Sequence, residues 1–136
     1  MSTAELSPGE PFALASVVEL SPGPISRTAL ALFAAGSGDQ NPIHIDLDAA
    51  RRAGFEDVIV PGMLPAAYVS RLLCEAFGQE RLRELHLRFT EIIPVNASPT
   101  CRAIVTGMTE EQMELELSVE LTDGATTLTG TAVVSR

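Results

Sequence analysis

Between Gly36 and Asp46 the sequence reads Gly-Ser-Gly-Asp-Gln-Asn-Pro-Ile-His-Ile-Asp, which sets Asp39 and His44 five residues apart in a segment bounded by glycine and proline. A carboxylate and an imidazole on one short loop can converge on one point. General acid–base chemistry requires this: two groups that share a water or a substrate hydroxyl, one giving and one taking a proton. Pro42 fixes a turn, and Asn41 can hydrogen-bond local backbone so that the loop holds its shape. The same residue types are common loop formers. Spacing alone therefore leaves an inert surface loop as an alternative, since most loop carboxylates do no chemistry.

The remaining chemistry-bearing residues are sparser. His86 lies alone in an alternating stretch, without the Cys/His cluster that a zinc site needs, so it reads as a strand side chain and no metal is expected. Cys74 and Cys101 are too few for a disulfide framework and read as two reduced, buried thiols. Met63 reads as core filler.

The elements that must position the loop follow from periodicity. Phe12–Leu20 is strand-like, and Ser21-Pro-Gly-Pro24 marks a turn. Ser26 can cap a helix running to about Ala35, with Ile25, Ala29, Leu32 and Phe33 at helical spacing and Gly36 and Gly38 ending it. A short helical turn is expected over Asp48–Ala53. After the break at Pro61-Gly62, Met63–Phe77 reads as a long helix apolar on most sides (Leu64, Ala67, Leu72, Leu73), which other structure must wrap. Gly78 stops it. The period then changes to two: Glu84–Thr90, Arg102–Thr106, Gln112–Thr122 and Ala125–Ser135 read as strands, with Asp123-Gly124 as a hairpin turn. Met113, Leu115, Leu117, Val119 and Leu121 share one face of the third of these, and Glu114, Glu116 and Glu120 the other. Consecutive strands joined by short turns predict an antiparallel sheet, so the fold class is α+β: a curved sheet wrapped on one helix.

Bulk composition agrees with a globular chain. The 136 residues suit one domain, 1–136, and 46% are hydrophobic against 20% charged. The net charge of −9 argues against nucleic acid and anionic membrane surfaces as partners. Met1–Glu10 shows no cationic and apolar leader pattern, so a cytoplasmic location is expected.

Ser37-Gly-Asp-Gln-Asn-Pro-Ile-His-Ile-Asp46 resembles the hydratase motif of the MaoC-like dehydratases, the (R)-specific enoyl-thioester hydratases. Ile59-Val-Pro-Gly-Met-Leu64 resembles their second signature, a Gly-Met pair opening the central helix. Arg88-Phe-Thr-Glu-Ile-Ile-Pro-Val95 resembles the strand after that helix. The resemblance runs from about Phe12 to the C-terminus. It implies the hot-dog fold, a curved antiparallel sheet around a long central helix.

By the same resemblance, Asp39 and His44 match the catalytic pair. Gly62 matches the glycine whose N–H holds the thioester carbonyl, a position suited to an oxyanion because free N–H groups and the helix dipole both favour negative charge. Ser70 matches a serine that supports the site, and Asn41 a residue that holds the loop. Pro61 stands where the family usually has His, which implies a changed pocket shape or substrate choice.

The implied reaction is hydration of a trans-2-enoyl thioester to the (R)-3-hydroxyacyl thioester, or its reverse, with no cofactor. The implied partners are an acyl-coenzyme A or acyl-carrier-protein thioester and a second copy of the chain in a homodimer, with a heteromer also open. Arg51 and Arg52 could meet carrier phosphates, with a solvated surface pair as the plainer reading; Arg81, Arg83 and Arg88 form a similar cluster. Two other functions stay open: a non-catalytic acyl-thioester-binding subunit of a hot-dog heteromer, and a hot-dog thioesterase.

Overall fold

The computed structural model describes residues 12–136; Met1–Glu10, on which the leader reading rests, lies outside them. The elements run β1 (Val17–Leu20), α1 (Arg27–Ser37), α2 (Leu47–Arg52), α3 (Met63–Phe77), β2 (Leu82–Phe89), β3 (Pro99–Met108), β4 (Gln112–Leu121) and β5 (Thr126–Ser135), with 3-10 turns at Pro42–His44 and Gln79–Arg81. All strands join one antiparallel sheet in the order β1-β3-β4-β5-β2. This is the antiparallel sheet packed on a helix that the period change predicts, and the hot-dog architecture that the resemblance implies.

The alternation in β4 sorts its side chains by face. Met113, Leu115, Leu117, Val119 and Leu121 are buried, while Glu114, Glu116 and Glu120 face outward. Cys101, Ala103 and Val105 of β3 and Leu128, Ala132 and Val134 of β5 extend that inner face. Against it lie Val69, Leu72, Leu73 and Phe77 of α3. Each such aliphatic side chain contributes about 1.5–3 kcal/mol when fully buried, so the sheet–helix contact is the main stabilising layer. No helix among the described residues is long and apolar enough to cross a membrane.

A second, smaller cluster underlies the Asp39–His44 loop. Ile25, Leu30, Ala50, Val58, Val60, Leu64 and Ile93 pack together, joining α1, α2 and the start of α3. Ser26 caps α1 by accepting from the Ala29 N–H at 3.1 Å. Gly38, at φ 79°, ends it in the left-handed conformation that a Cβ disfavours.

Four local expectations are corrected. The first strand starts at Val17 rather than Phe12: Ala13–Ser16 forms a turn, with Ala15 at φ 67° and the Ala13 N–H bonded to Ser16 Oγ. Phe12 instead stacks on Phe77 with ring centroids 4.5 Å apart. Leu32 is 68% exposed because α1 buries Leu30 and Ala34, with Ala29 and Phe33 partly covered, and Leu32 falls outside that stripe. Ala67 is likewise exposed on α3. Met63 is 62% exposed at the first position of α3, ahead of the turns that the sheet covers, so it fills no core.

Candidate active site

The loop between α1 and α2 is shaped by a relay of side chains onto nearby backbone. Ser37 Oγ accepts from the Asp39 N–H (3.1 Å), Asp39 Oδ1 from the Asn41 N–H (3.2 Å), and Asn41 Oδ1 from the Ile43 N–H (3.3 Å). These are Ser and Asx turns, the local bonds that short polar side chains make in place of helix. Pro42 then opens a 3-10 turn that ends on His44, and Asp46 caps α2 through the Asp48 N–H at 2.9 Å. Asn41 thus holds the loop from its own side chain.

His44 is 8% exposed, and its Nδ1 lies 2.8 Å from the Ile59 carbonyl oxygen. A carbonyl can only accept, so Nδ1 carries the proton and Nε2 of the neutral ring presents a lone pair. Nε2 is 3.9 Å from Asp39 Oδ2. That gap is too long for a direct hydrogen bond and suits a bridging water or hydroxyl. Asp39 is accordingly divided: Oδ1 ties the loop, and Oδ2 faces the imidazole.

Gly62 is the N-cap of α3 and precedes its first i→i−4 bond, Ala66 N–H to Gly62 O at 3.4 Å. Its own N–H therefore belongs to the orphan set at a helix start, at the positive end of the dipole. Pro61 is buried and its carbonyl accepts from the Leu64 N–H at 3.0 Å, so the proline forms the first tight turn into the helix.

His44 and Gly62 line one cleft of about 330 Å³. Ile59, Val60, Pro65, Phe89, Ile92 and Ile93 supply apolar wall, and Thr90, Glu91 and Thr127 supply polar atoms. Asp39, Asn41 and Ser70 are not on that wall: Asp39 and Asn41 belong to the loop beside His44, and the Ser70 hydroxyl donates back to the Ala66 carbonyl of its own helix at 3.0 Å. A larger open groove of about 650 Å³ lies on the outer sheet face among Glu84, Glu114, Glu116 and Thr131. None of the sequence-predicted site residues faces it, and its carboxylates disfavour an anionic carrier. Among the other candidates, Arg51 and Arg52 are exposed at the end of α2, and Arg81, Arg83 and Arg88 are exposed along β2 and the turn before it. His86 is exposed on β2 with Nε2 3.7 Å from Glu84 Oε2.

Two parts of the site lie beyond sequence patterning. The Ile59 carbonyl that fixes the His44 tautomer comes from fifteen residues downstream, and a backbone oxygen leaves no residue-type signal. Thr127 is the extra residue of a β-bulge, where Val119 pairs with Leu128 and Glu120 with Thr126. The bulge buries Thr127 and Leu128 in succession, and the Thr127 carbonyl accepts from the N–H groups of Thr90 and Glu91. Bulges re-aim side chains in this way beside sites.

In overall structure the chain is similar to an (R)-hydratase from A. caviae involved in PHA biosynthesis, with 30% identity over 90% of this chain and 96% of that one and a TM-score of 0.80. It is similar to the unliganded R-hydratase of Pseudomonas aeruginosa, with 25% identity over 90% of this chain and 81% of that one and a TM-score of 0.83. Among curated sequences it is similar to a mitochondrial 3-hydroxyacyl-acyl-carrier-protein dehydratase of Solanum lycopersicum, 46% identical over 39 residues, or 29% of this chain. The chain spans 24% of the length of that relative. A profile of the MaoC like domain matches residues 10–127. With that match covering most of its length, the chain belongs to the MaoC-like family of hydratases and dehydratases.

Proposed function

We propose that the protein is a hydro-lyase that adds water to a trans-2-enoyl thioester to give the (R)-3-hydroxyacyl thioester, or runs the reverse, with Asp39 and His44 as its acid–base pair. One observation carries the reading: the 3.9 Å gap between His44 Nε2 and Asp39 Oδ2, with Nδ1 committed to the Ile59 carbonyl. A water in that gap is held by two acceptors. As its oxygen bonds C3, the pair takes one of its protons, and a proton returns from the pair to C2. The pair ends unchanged, so atoms and charge balance. The Gly62 N–H receives the thioester oxygen, where negative charge grows as the C2–C3 double bond is attacked.

The remaining assignments belong to the same proposal. Asn41 shapes the loop, and Ser70 supports the site through α3 without touching the substrate. Residues 1–136 act as one domain, in the cytoplasm, with a second copy completing the assembly. Among the described residues β2 pairs on one side only, which supports that last point, since an unpaired strand edge favours pairing with another chain. A partner of different sequence would serve the same edge.

The test is hydration of crotonyl-coenzyme A and longer enoyl thioesters, on coenzyme A and on an acyl carrier protein, followed by loss of the conjugated enoyl absorbance. Asp39→Asn and His44→Ala are each expected to lower kcat/KM by about 10²-fold or more, the scale of lost acid–base catalysis. Equal inertness of wild type and both variants on every substrate would leave a non-catalytic acyl-binding subunit as the function.

A further inference from the structure

Ile59 is gripped on both sides. Its N–H donates to the Ile43 carbonyl at 3.2 Å, and its carbonyl receives Nδ1–H of His44 at 2.8 Å. The next residue, Val60, donates to the Ile93 carbonyl at 3.0 Å, and Ile59 bridges to Pro94. These contacts hold the far end of the short segment between α2 and α3. Its near end begins with a reversal at Gly54, φ 97°, where the Phe55 N–H donates to the Ala50 carbonyl at 3.0 Å, and the stretch between the two ends leaves room for a side-chain anchor.

Asp57 supplies one. Its Oδ1 accepts from the Val58 N–H at 2.7 Å and from Arg27 Nη1 at 2.9 Å, while Oδ2 accepts from Arg27 Nη2 at 2.6 Å. This is the planar two-point fork of guanidinium on carboxylate, which fixes orientation as well as distance. Arg27 is the first residue of α1, and the buried Ile25 two residues before it is tied to the Asn96–Ala97 backbone: its N–H donates to the Ala97 carbonyl at 2.9 Å, and its carbonyl accepts from the Asn96 N–H at 2.7 Å. Arg51 of α2 donates its Nε–H to the Glu56 carbonyl, next to Asp57 in the chain, at 3.4 Å. The carboxylate thus sets the amide plane of Val58, and Val58 is 2% exposed, so the plane cannot turn without disturbing the cluster beneath the loop. The Ile59 carbonyl belongs to the second peptide beyond that plane, and the peptide between them is held by the Ile59 N–H on the Ile43 carbonyl at 3.2 Å.

We infer that Arg27 and Asp57 form a positioning pair that, through Val58 and the Ile59 carbonyl, keeps His44 in the Nδ1–H tautomer. The consequence for chemistry is direct. With the acceptor in place, Nε2 keeps its lone pair towards Asp39 and can take a proton from water. With the acceptor displaced, the proton can move to Nε2, which then donates towards Asp39 and no longer serves as a base. Neither residue lines the cleft, and an exposed ion pair adds little to global stability, so its effect falls on geometry. The catalytic part of the inference rests on the acid–base role proposed for His44; the tautomer does not.

The chain has two histidines, so His86→Gln leaves His44 as the only imidazole for nitrogen NMR. In that background the neutral ring is expected to show a protonated Nδ1 and an unprotonated Nε2. Arg27→Met and Asp57→Asn are each expected to move the ring to a mixture of tautomers, and the double variant to move it no further. In the parallel assay, each single variant is expected to lower kcat by about tenfold with a smaller change in KM, the cost of a misplaced group. An unchanged tautomer in both single variants, or shifts that simply add in the double variant, overturns the inference. A shifted tautomer in a protein whose wild type hydrates no thioester upholds the positioning pair and removes the acid–base reading.

Discussion

The ring of Phe89 lies against Gly62: a Cβ built on the glycine would stand 3.4 Å from Phe89 Cε1. The end of β2 and the start of α3 thus meet at the position proposed to bind the thioester oxygen. Phe89 is held there because the residue after it, Thr90, donates its N–H to the Thr127 carbonyl at 3.0 Å.

From this contact, Gly62→Ala keeps the N–H and sets a methyl in van der Waals contact with the ring, inside the cleft proposed for the thioester. Its kcat/KM on a short enoyl thioester is expected to fall by about tenfold through displacement of the bound carbonyl. Phe89→Leu in the same chain relieves the contact and should restore most of the loss. Wild-type activity in Gly62→Ala would place the carbonyl elsewhere.

Gly130 lies opposite Leu87 in the sheet, and a Cβ there would run into the His86 carbonyl oxygen. Backbone cannot yield as a flexible side chain does. Gly130→Ala is therefore expected to destabilise the fold by about 1–3 kcal/mol, read as a lower urea midpoint at constant slope.

The pH dependence of stability has a defined sign at Asp57. The Arg27 guanidinium, followed by the Val58 N–H, holds this carboxyl below the usual carboxylate range. A group whose folded pKa is depressed stabilises the fold above its unfolded pKa, and that contribution is lost as pH falls through the folded value. Urea midpoints measured from pH 6 downward should therefore decline less steeply in Asp57→Asn than in wild type over the acid range. Parallel curves would show that the pair contributes nothing to folding.

Burial pushes the Cys101 thiol up to about 12, and its side chain is fully enclosed under the sheet. It should stay unmodified by iodoacetamide at pH 8 in the native protein and react on addition of urea, since the thiolate is the nucleophile. Cys74, partly exposed on α3, should react first. Mass spectrometry of tryptic peptides distinguishes the two.

Periodicity determined the strand–helix layout of this chain, because burial on one face leaves its mark at every second or fourth residue. Met113 to Leu121 declare the inner face of β4, and Met63–Phe77 reads as a helix that must be covered. The Asp39–His44 loop was legible for the same local reason: glycine, asparagine and proline encode their own turns within a few residues. Where competition between distant surfaces decides, the pattern fails. Leu32 has helical spacing and still faces solvent, because only one stripe of α1 meets the cluster formed with Val58 and Ile93.

Tertiary structure alone decided what lies around His44. The proton on Nδ1 depends on a carbonyl fifteen residues away, and the position of that carbonyl depends on a peptide segment pinned between α1 and Ile93 and Pro94 in the connection from β2 to β3. Thr127 reaches the cleft only because β4 and β5 slip by one residue. Backbone oxygens and strand register carry no residue identity, so they acquire direction only when distant parts of the chain are brought together.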